Sequence, residues 1–159
     1  MKKLLFAMAL VAMMATTVAA EKGLEQYIEL FRSDLKTQTV AVITEVMDFT
    51  TAEGEAFWPI YRELELERSK IGDKRLALIK DYAENFDSMT DVMAKELMSR
   101  AFGIDESRLK LERSYYKKFE KATSSITAVK FMQLMNQIDL LIDISIASEL
   151  PLVERPQQM

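Results

Sequence analysis

The chain has 159 residues and a formal net charge of −4, with no cysteine, no histidine, four glycines and three prolines. The lack of cysteine excludes disulfides, thiol catalysis and a lipid-modified cysteine, and the lack of histidine removes the commonest general base and metal ligand. The acidic balance argues against nucleic acid, whose binding depends on neutralising phosphates. Scarce glycine and proline favour an all-α fold.

The first twenty residues have the organisation of a signal peptide. Two lysines follow the first methionine, residues 4–14 are apolar, and small residues lead up to Ala20. This pattern predicts export to the periplasm with cleavage after Ala20. An uncleaved anchor helix is the alternative, but the apolar run is shorter than the ~20 residues that span a bilayer. The mature protein is then a single all-helical domain, 21–159, without a membrane span and with 19 basic against 25 acidic residues.

Apolar residues recur at helical spacing over 24–48, which predicts the first helix. β-Branched residues are concentrated at 37–43 and weaken the helix propensity there. A strand over 37–43 is the alternative. No other segment offers that strand a partner, which favours the helix.

A second helix is predicted over 51–86. Thr50 and Glu53 have the spacing of a capping box, in which each side chain accepts a hydrogen bond from the other residue's backbone N–H. Pro59 removes one helical hydrogen bond, so the helix either bends or restarts there. The unbroken phase of the apolar stripe favours one bent helix. The core anchors expected after the cap are aromatic: Phe57, Trp58 and Tyr61.

The apolar stripe of this helix fails beyond Leu64, where charged residues occupy inward positions. We interpret this charged middle as a surface where a partner docks. The residues predicted to contact that partner are Glu65, Arg68, Ile71, Lys74 and Arg75. The alternative is a solvated helix surface held by ion pairs between residues three and four apart.

Thr90 and Thr127 are predicted to cap the third and fourth helices, over 90–122 and 127–149. Ser88 with Asp91 is an alternative start for the third helix. The fourth helix is apolar almost all round, which predicts burial on most sides. A chain of this size offers that helix few neighbours, so we expect it to lie in a homodimer interface.

Asp139 and Asp143 form the one polar line on the fourth helix. Two carboxylates at this spacing can ligate a hard cation or share a proton. The preferred alternative is that they face water or pair with Arg or Lys from a neighbouring helix. Methionines three apart, Met132 and Met135, can bind Cu(I), but such residues more often fill a core. No metal ligand, cofactor or enzyme activity is predicted, since no phosphate-binding loop or nucleophile elbow is present.

An apolar residue followed by threonine stands at three predicted helix starts, in the segments Phe49–Glu53, Met89–Met93 and Ile126–Lys130. Through these segments the chain resembles the LTxxQ-motif (Spy/CpxP-like) family of periplasmic helical proteins. The resemblance also takes in residues 57–82 and 133–153. It implies α-helical hairpins, often in an antiparallel homodimer. It further implies ATP-independent chaperone activity, damping of an envelope-stress sensor, or metal binding.

These observations lead to one main expectation and two alternatives. We expect a non-enzymatic periplasmic protein, chaperone-like and independent of ATP, that binds unfolded or partly folded envelope proteins as a homodimer. The first alternative is an adaptor that binds a sensor domain in envelope stress signalling. The second is a metal-binding periplasmic protein.

Overall fold

In a computed structural model the described residues are 26, 28–30 and 32–153, and they form helices joined by short loops. No strand occurs among those residues, which confirms the predicted all-α fold. The predicted signal peptide and its cleavage site lie outside them. The chain divides into two compact units between Val46 and Met47.

The first helix, α1, includes residues 32–47. Its β-branched segment is helical, so the strand alternative over 37–43 is wrong. Thr39 Oγ1 donates a hydrogen bond to the Leu35 carbonyl oxygen at 2.8 Å, which satisfies the hydroxyl within the helix. Asp48, with φ of 50°, leaves the right-handed helical conformation and ends α1.

The second helix, α2, is Thr51–Asn85. Its predicted capping box is confirmed: Glu53 N lies 3.3 Å from Thr50 Oγ1, and Thr50 N lies 3.1 Å from Glu53 Oε2. Hydrogen bonds from Thr127 and from Thr50 lower the pKa of the Glu53 carboxyl. The carboxylate therefore stays charged at the start of α2, where the helix dipole favours it.

Pro59 lies inside α2 without ending it, so the predicted continuous helix is confirmed and a restart at this residue is wrong. Proline cannot donate to the carbonyl of Glu55, four positions earlier. Both residues are solvent-exposed, which gives that carbonyl access to water. Hydration limits the cost of the missing bond.

A 3₁₀ turn, Phe86–Ser88, connects α2 to the third helix, α3, which is Asp91–Ala122. Thr90 caps α3 as predicted, because its Oγ1 accepts a hydrogen bond from Met93 N at 3.3 Å. The alternative start at Ser88 is wrong, since that residue lies in the 3₁₀ turn.

The fourth helix, α4, is Ser125–Glu149, so it begins two residues before the predicted start at Thr127, and the prediction that Thr127 caps it is wrong. Ser124 has the extended backbone that an N-cap needs, and its Oγ accepts a hydrogen bond from Thr127 N at 3.1 Å. Thr127 lies in the first turn, where its hydroxyl donates to Glu53 Oε1 at 2.8 Å. This threonine therefore links the starts of α2 and α4 and does not cap α4.

Helices α2, α3 and α4 alternate in direction, as in helical hairpins. Two ion pairs show α2 and α3 running antiparallel: Lys118 with Glu63, and Arg100 with Asp81. The backbone of α3 packs against both other helices, whereas α2 and α4 meet through their side chains. Together the three helices form an up-down-up bundle.

The buried core of this bundle is confined to the half formed by residues 47–64 and 113–135, which we call the packed half. The ring of Phe57 lies at its centre, with centroids 4.8 Å from Phe119 and 4.9 Å from Phe131. Two of the predicted anchors, Phe57 and Tyr61, are buried, and Trp58 is half-buried beside them. Aromatic residues from α2, α3 and α4 thus hold this half together.

The other half, residues 65–112 and 136–153, contains no buried residue, and we call it the open half. The second part of α4 belongs to it, with Leu140, Leu141 and Ile144 exposed by 56, 67 and 57 %. Within the single chain α4 is therefore not buried on most sides, and its burial in a homodimer interface stays a prediction. In this half α4 meets its neighbours on one face only, so its outward apolar residues stay exposed.

Candidate partner-binding site

A cavity of about 360 Å³ lies between the three helices where the open half begins. Its volume is within the range of ~300–1,000 Å³ typical of ligand sites, which often lie between the helices of bundles. A Cβ added to Gly72 of α2 would meet no atom within 4 Å, so this part of α2 is not packed. Apolar side chains from all three helices line the cavity: Leu64, Ile71, Ile104, Leu111, Phe131 and Met135.

An arginine–aspartate pair crosses the cavity from α2 to α4. Both Nη atoms of Arg68 donate to the carboxylate of Asp139, with Nη1 3.1 Å from Oδ2. The side chains are 23 and 15 % exposed, so the pair is largely removed from water. Burial opposes the charge of Arg68, but the hydrogen bond and charge of Asp139 outweigh it and raise the pKa of the guanidinium. Bidentate geometry makes this contact specific.

A second set of ion pairs lies one turn further along α4, where two arginines contact Asp143. Arg75 of α2 donates to Asp143 Oδ1 at 2.5 Å, and Arg108 of α3 donates to Oδ2 at 3.3 Å. Burial acts to raise the pKa of Asp143, but hydrogen bonds and charges of the two arginines lower it below its usual value. The preferred prediction that Asp139 and Asp143 pair with basic residues of neighbouring helices is confirmed.

The five residues predicted for partner contact lie in different environments. Arg68, Ile71 and Arg75 line the cavity. Glu65 is half-buried beside the arginine–aspartate pair, with Oε1 3.9 Å from Arg68 Nε. Lys74 is exposed and does not line the cavity. Three of the five therefore belong to one site, and their contact with a partner stays a prediction.

The contribution of α3 to the cavity was not predicted from the sequence: Asp105, Arg108 and Glu112 line it. Their spacing of three and four residues, which places them on one helix face, was the available signal. Asp105 and Arg108 pair with each other at 3.6 Å. Of the charged residues that line the cavity, Glu112 alone forms no ion pair within the described part of the chain. It acts on Arg68 only through longer-range attraction.

Asp105 and Glu112, two of the acidic residues that line the cavity, share one side of α3 with exposed apolar side chains. Met98, Phe102 and Leu109 are 54, 60 and 49 % exposed. Together with Asp105 and Glu112, these three residues are spaced four, three, four and three positions apart along α3. This spacing places all five on one face of the helix. We call these five residues the α3 face. It combines apolar side chains with carboxylates that also line the cavity.

The exposed face of α4 has a different chemistry. Leu140, Leu141 and Ile144 share it with Gln137 and Ser148, all at helical spacing and all exposed. None of these five residues is charged. This surface, which we call the α4 face, is therefore apolar and electrically neutral.

Charge is distributed unequally between the two halves of the bundle. The open half carries nine basic against fourteen acidic residues, a net of −5. The packed half carries six basic against five acidic residues, a net of +1. The open half, which exposes most of the large apolar side chains of the bundle, thus also has an acidic field, and that field favours cationic partners.

The fold and the site define an all-α chain whose three-helix bundle is packed at one half and open at the other. No described helix is both long and apolar enough to cross a membrane. The described residues also hold no cluster of three His, Cys, Asp or Glu side chains suited to a metal ion. Comparison with protein-family models, curated proteins and solved structures finds no match to this chain. The resemblance to the LTxxQ family therefore stays a prediction.

Proposed function

We propose that the protein binds unfolded or partly folded envelope proteins in the periplasm, as a chaperone that needs no ATP. The observation that carries this proposal is the open half, where apolar side chains such as Phe102 and Leu109 remain exposed. Exposed apolar surface marks sites of protein interaction, and adaptable apolar surfaces suit binding to many partners. Periplasmic location is proposed from the signal-peptide pattern of residues 1–20.

The packed half supports this proposal because the residues that stabilise the bundle lie there, whereas the residues proposed to bind a client lie in the open half. Phe57, Phe119 and Phe131 pack against one another at centroid distances of 4.6–4.9 Å, away from the exposed side chains of the open half. Apolar groups in the open half therefore remain free to contact a client while the aromatic core holds the helices together. A bundle that buried all its apolar side chains would leave none for this purpose.

The mature protein is expected to slow aggregation of a chemically denatured client in the absence of ATP, followed by light scattering. Leu109→Ser removes an apolar side chain from the open half and should weaken the suppression several-fold. Ile126→Ser makes a comparable change at an 83 % exposed residue of the packed half and serves as the matched control. Failure of the wild-type protein to slow aggregation at several-fold molar excess over the client would contradict the proposal. A single stoichiometric partner on co-purification, without general suppression, would favour the adaptor alternative.

We also propose that the chain forms a homodimer through the α4 face. Pairing this face with its copy brings Leu140, Leu141 and Ile144 together without opposing like charges. Leu141→Lys places two lysines in that interface and should shift the protein to the monomer in sedimentation velocity runs across concentration. Ile126→Lys adds the same charge outside the α4 face and should leave the sedimentation unchanged. A wild-type monomer at tens of micromolar would contradict the dimer.

A further inference from the structure

We propose that the α3 face docks a basic amphipathic helix of the bound protein. This inference rests on the proposed function and names the chemistry of the client segment. The α3 face consists of Met98, Phe102, Asp105, Leu109 and Glu112. Its apolar members supply the contact area, and its carboxylates select the charge of the partner.

The spacing of the α3 face favours a helical partner over an extended one. Residues at alternating intervals of four and three form the seam along which two helices pack side by side. From Met98 to Glu112 this seam extends over about 21 Å at 1.5 Å per residue, or about four turns. A partner helix with apolar residues at the same spacing can interdigitate with Met98, Phe102 and Leu109. The partner helix would then pack beside α3 as an additional helix next to α2, α3 and α4.

The charges favour lysine and arginine on that helix. Glu112 has no ion pair among the described residues, and the open half around it carries a net charge of −5. Lysine and arginine can lay their apolar stems over Phe102 and Leu109 while their charged ends reach the carboxylates. An acidic helix would meet like charge here, which disfavours it. A second copy of this chain brings the same acidic open half, so the α3 face is a poor site for self-association.

The direct test compares two synthetic amphipathic helices of about 18 residues, or five turns. Both present leucine on one face, and the flanking positions carry lysine in one peptide and glutamate in the other. Fluorescence anisotropy with the full mature protein should show the lysine peptide binding at least tenfold more tightly than the glutamate peptide. Added salt should reduce that difference, since it screens exposed charges.

Two variants of the protein locate the binding to the α3 face. Glu112→Gln keeps the side-chain shape and should weaken binding of the lysine peptide about three- to fivefold, the effect expected of one partly exposed ion pair. Glu96→Gln removes the same charge from another side of α3, and it should leave the affinity unchanged. Thermal unfolding of both variants checks that the fold is intact.

The outcomes separate this inference from the proposed function. Equal affinity for the two peptides, or equal losses in the Glu112 and Glu96 variants, overturns the docking of a basic helix even if the protein suppresses aggregation. Tight, Glu112-dependent binding of the lysine peptide supports the docking even if the protein fails in the aggregation assay. A change in dimerisation by Glu112→Gln, with no change in peptide affinity, would make the α3 face a contact between copies and overturn the inference.

Discussion

Replacing Phe57 by alanine is expected to lower the free energy of unfolding by about 3–5 kcal/mol, the cost of deleting a fully buried aromatic ring. Phe57 is 0 % exposed, and its ring contacts aromatic residues from α3 and α4 as well as from its own helix. The deletion leaves a cavity where the three helices meet. Because domains of this size are stable by only about 5–15 kcal/mol, the loss should be visible as a large fall in the urea midpoint followed by circular dichroism.

Phe102→Ala is the matched control for this substitution. It removes the same ring from a residue that is 60 % exposed, and we expect a change in unfolding free energy within about 0.5 kcal/mol. The same variant should weaken client binding, because Phe102 belongs to the α3 face. Similar losses of stability for Phe57→Ala and Phe102→Ala would contradict the division of the bundle into a packed and an open half.

Features that depend on neighbours in the chain could be predicted from the sequence. The caps at Thr50 and Thr90 depend on residues three positions away, and both are confirmed. The continuity of α2 through Pro59 followed from the phase of its apolar stripe. The start of α4 was missed because Thr127 has a partner from outside its own helix, Glu53, which is 74 residues away in the chain. A cap pattern of a few residues does not contain that partner.

The site was predictable on the sides that α2 and α4 contribute, but not on the side of α3. Failure of the apolar stripe beyond Leu64 marked the place where the bundle opens, since inward positions there carry charge. Periodicity does not reveal which helix supplies the opposite charges, so the partners of Asp139 and Asp143 could be stated only as a class, Arg or Lys. The apolar residues on all sides of α4 likewise do not indicate how many other helices pack against it. Its leucines are exposed because α4 meets its neighbours on one face only, and Leu140 and Leu141 lie outside that face.

Replacing Arg68 by methionine is expected to lower the free energy of unfolding by about 2–3 kcal/mol, because it leaves the carboxylate of Asp139 largely buried without its counter-ion. Asp139→Leu should cost less, about 1–2 kcal/mol, since Arg68 keeps Glu65 as a second partner at 3.9 Å. The double variant is expected to recover most of the loss. Methionine and leucine there would line a cavity that is already largely apolar, and paired apolar replacements of buried ion pairs are often tolerated.

Urea unfolding of the wild type, the two single variants and the double variant gives the coupling energy of the pair directly. Arg100→Met is the control, because Arg100 pairs with Asp81 across α2 and α3 while both side chains are 37 and 44 % exposed. That change should cost at most about 1 kcal/mol, as for other exposed pairs. A double variant no more stable than Arg68→Met would mean that the ion pair itself stabilises the bundle. Recovery would mean that its main contribution is geometric: it specifies how α2 and α4 face each other across the cavity.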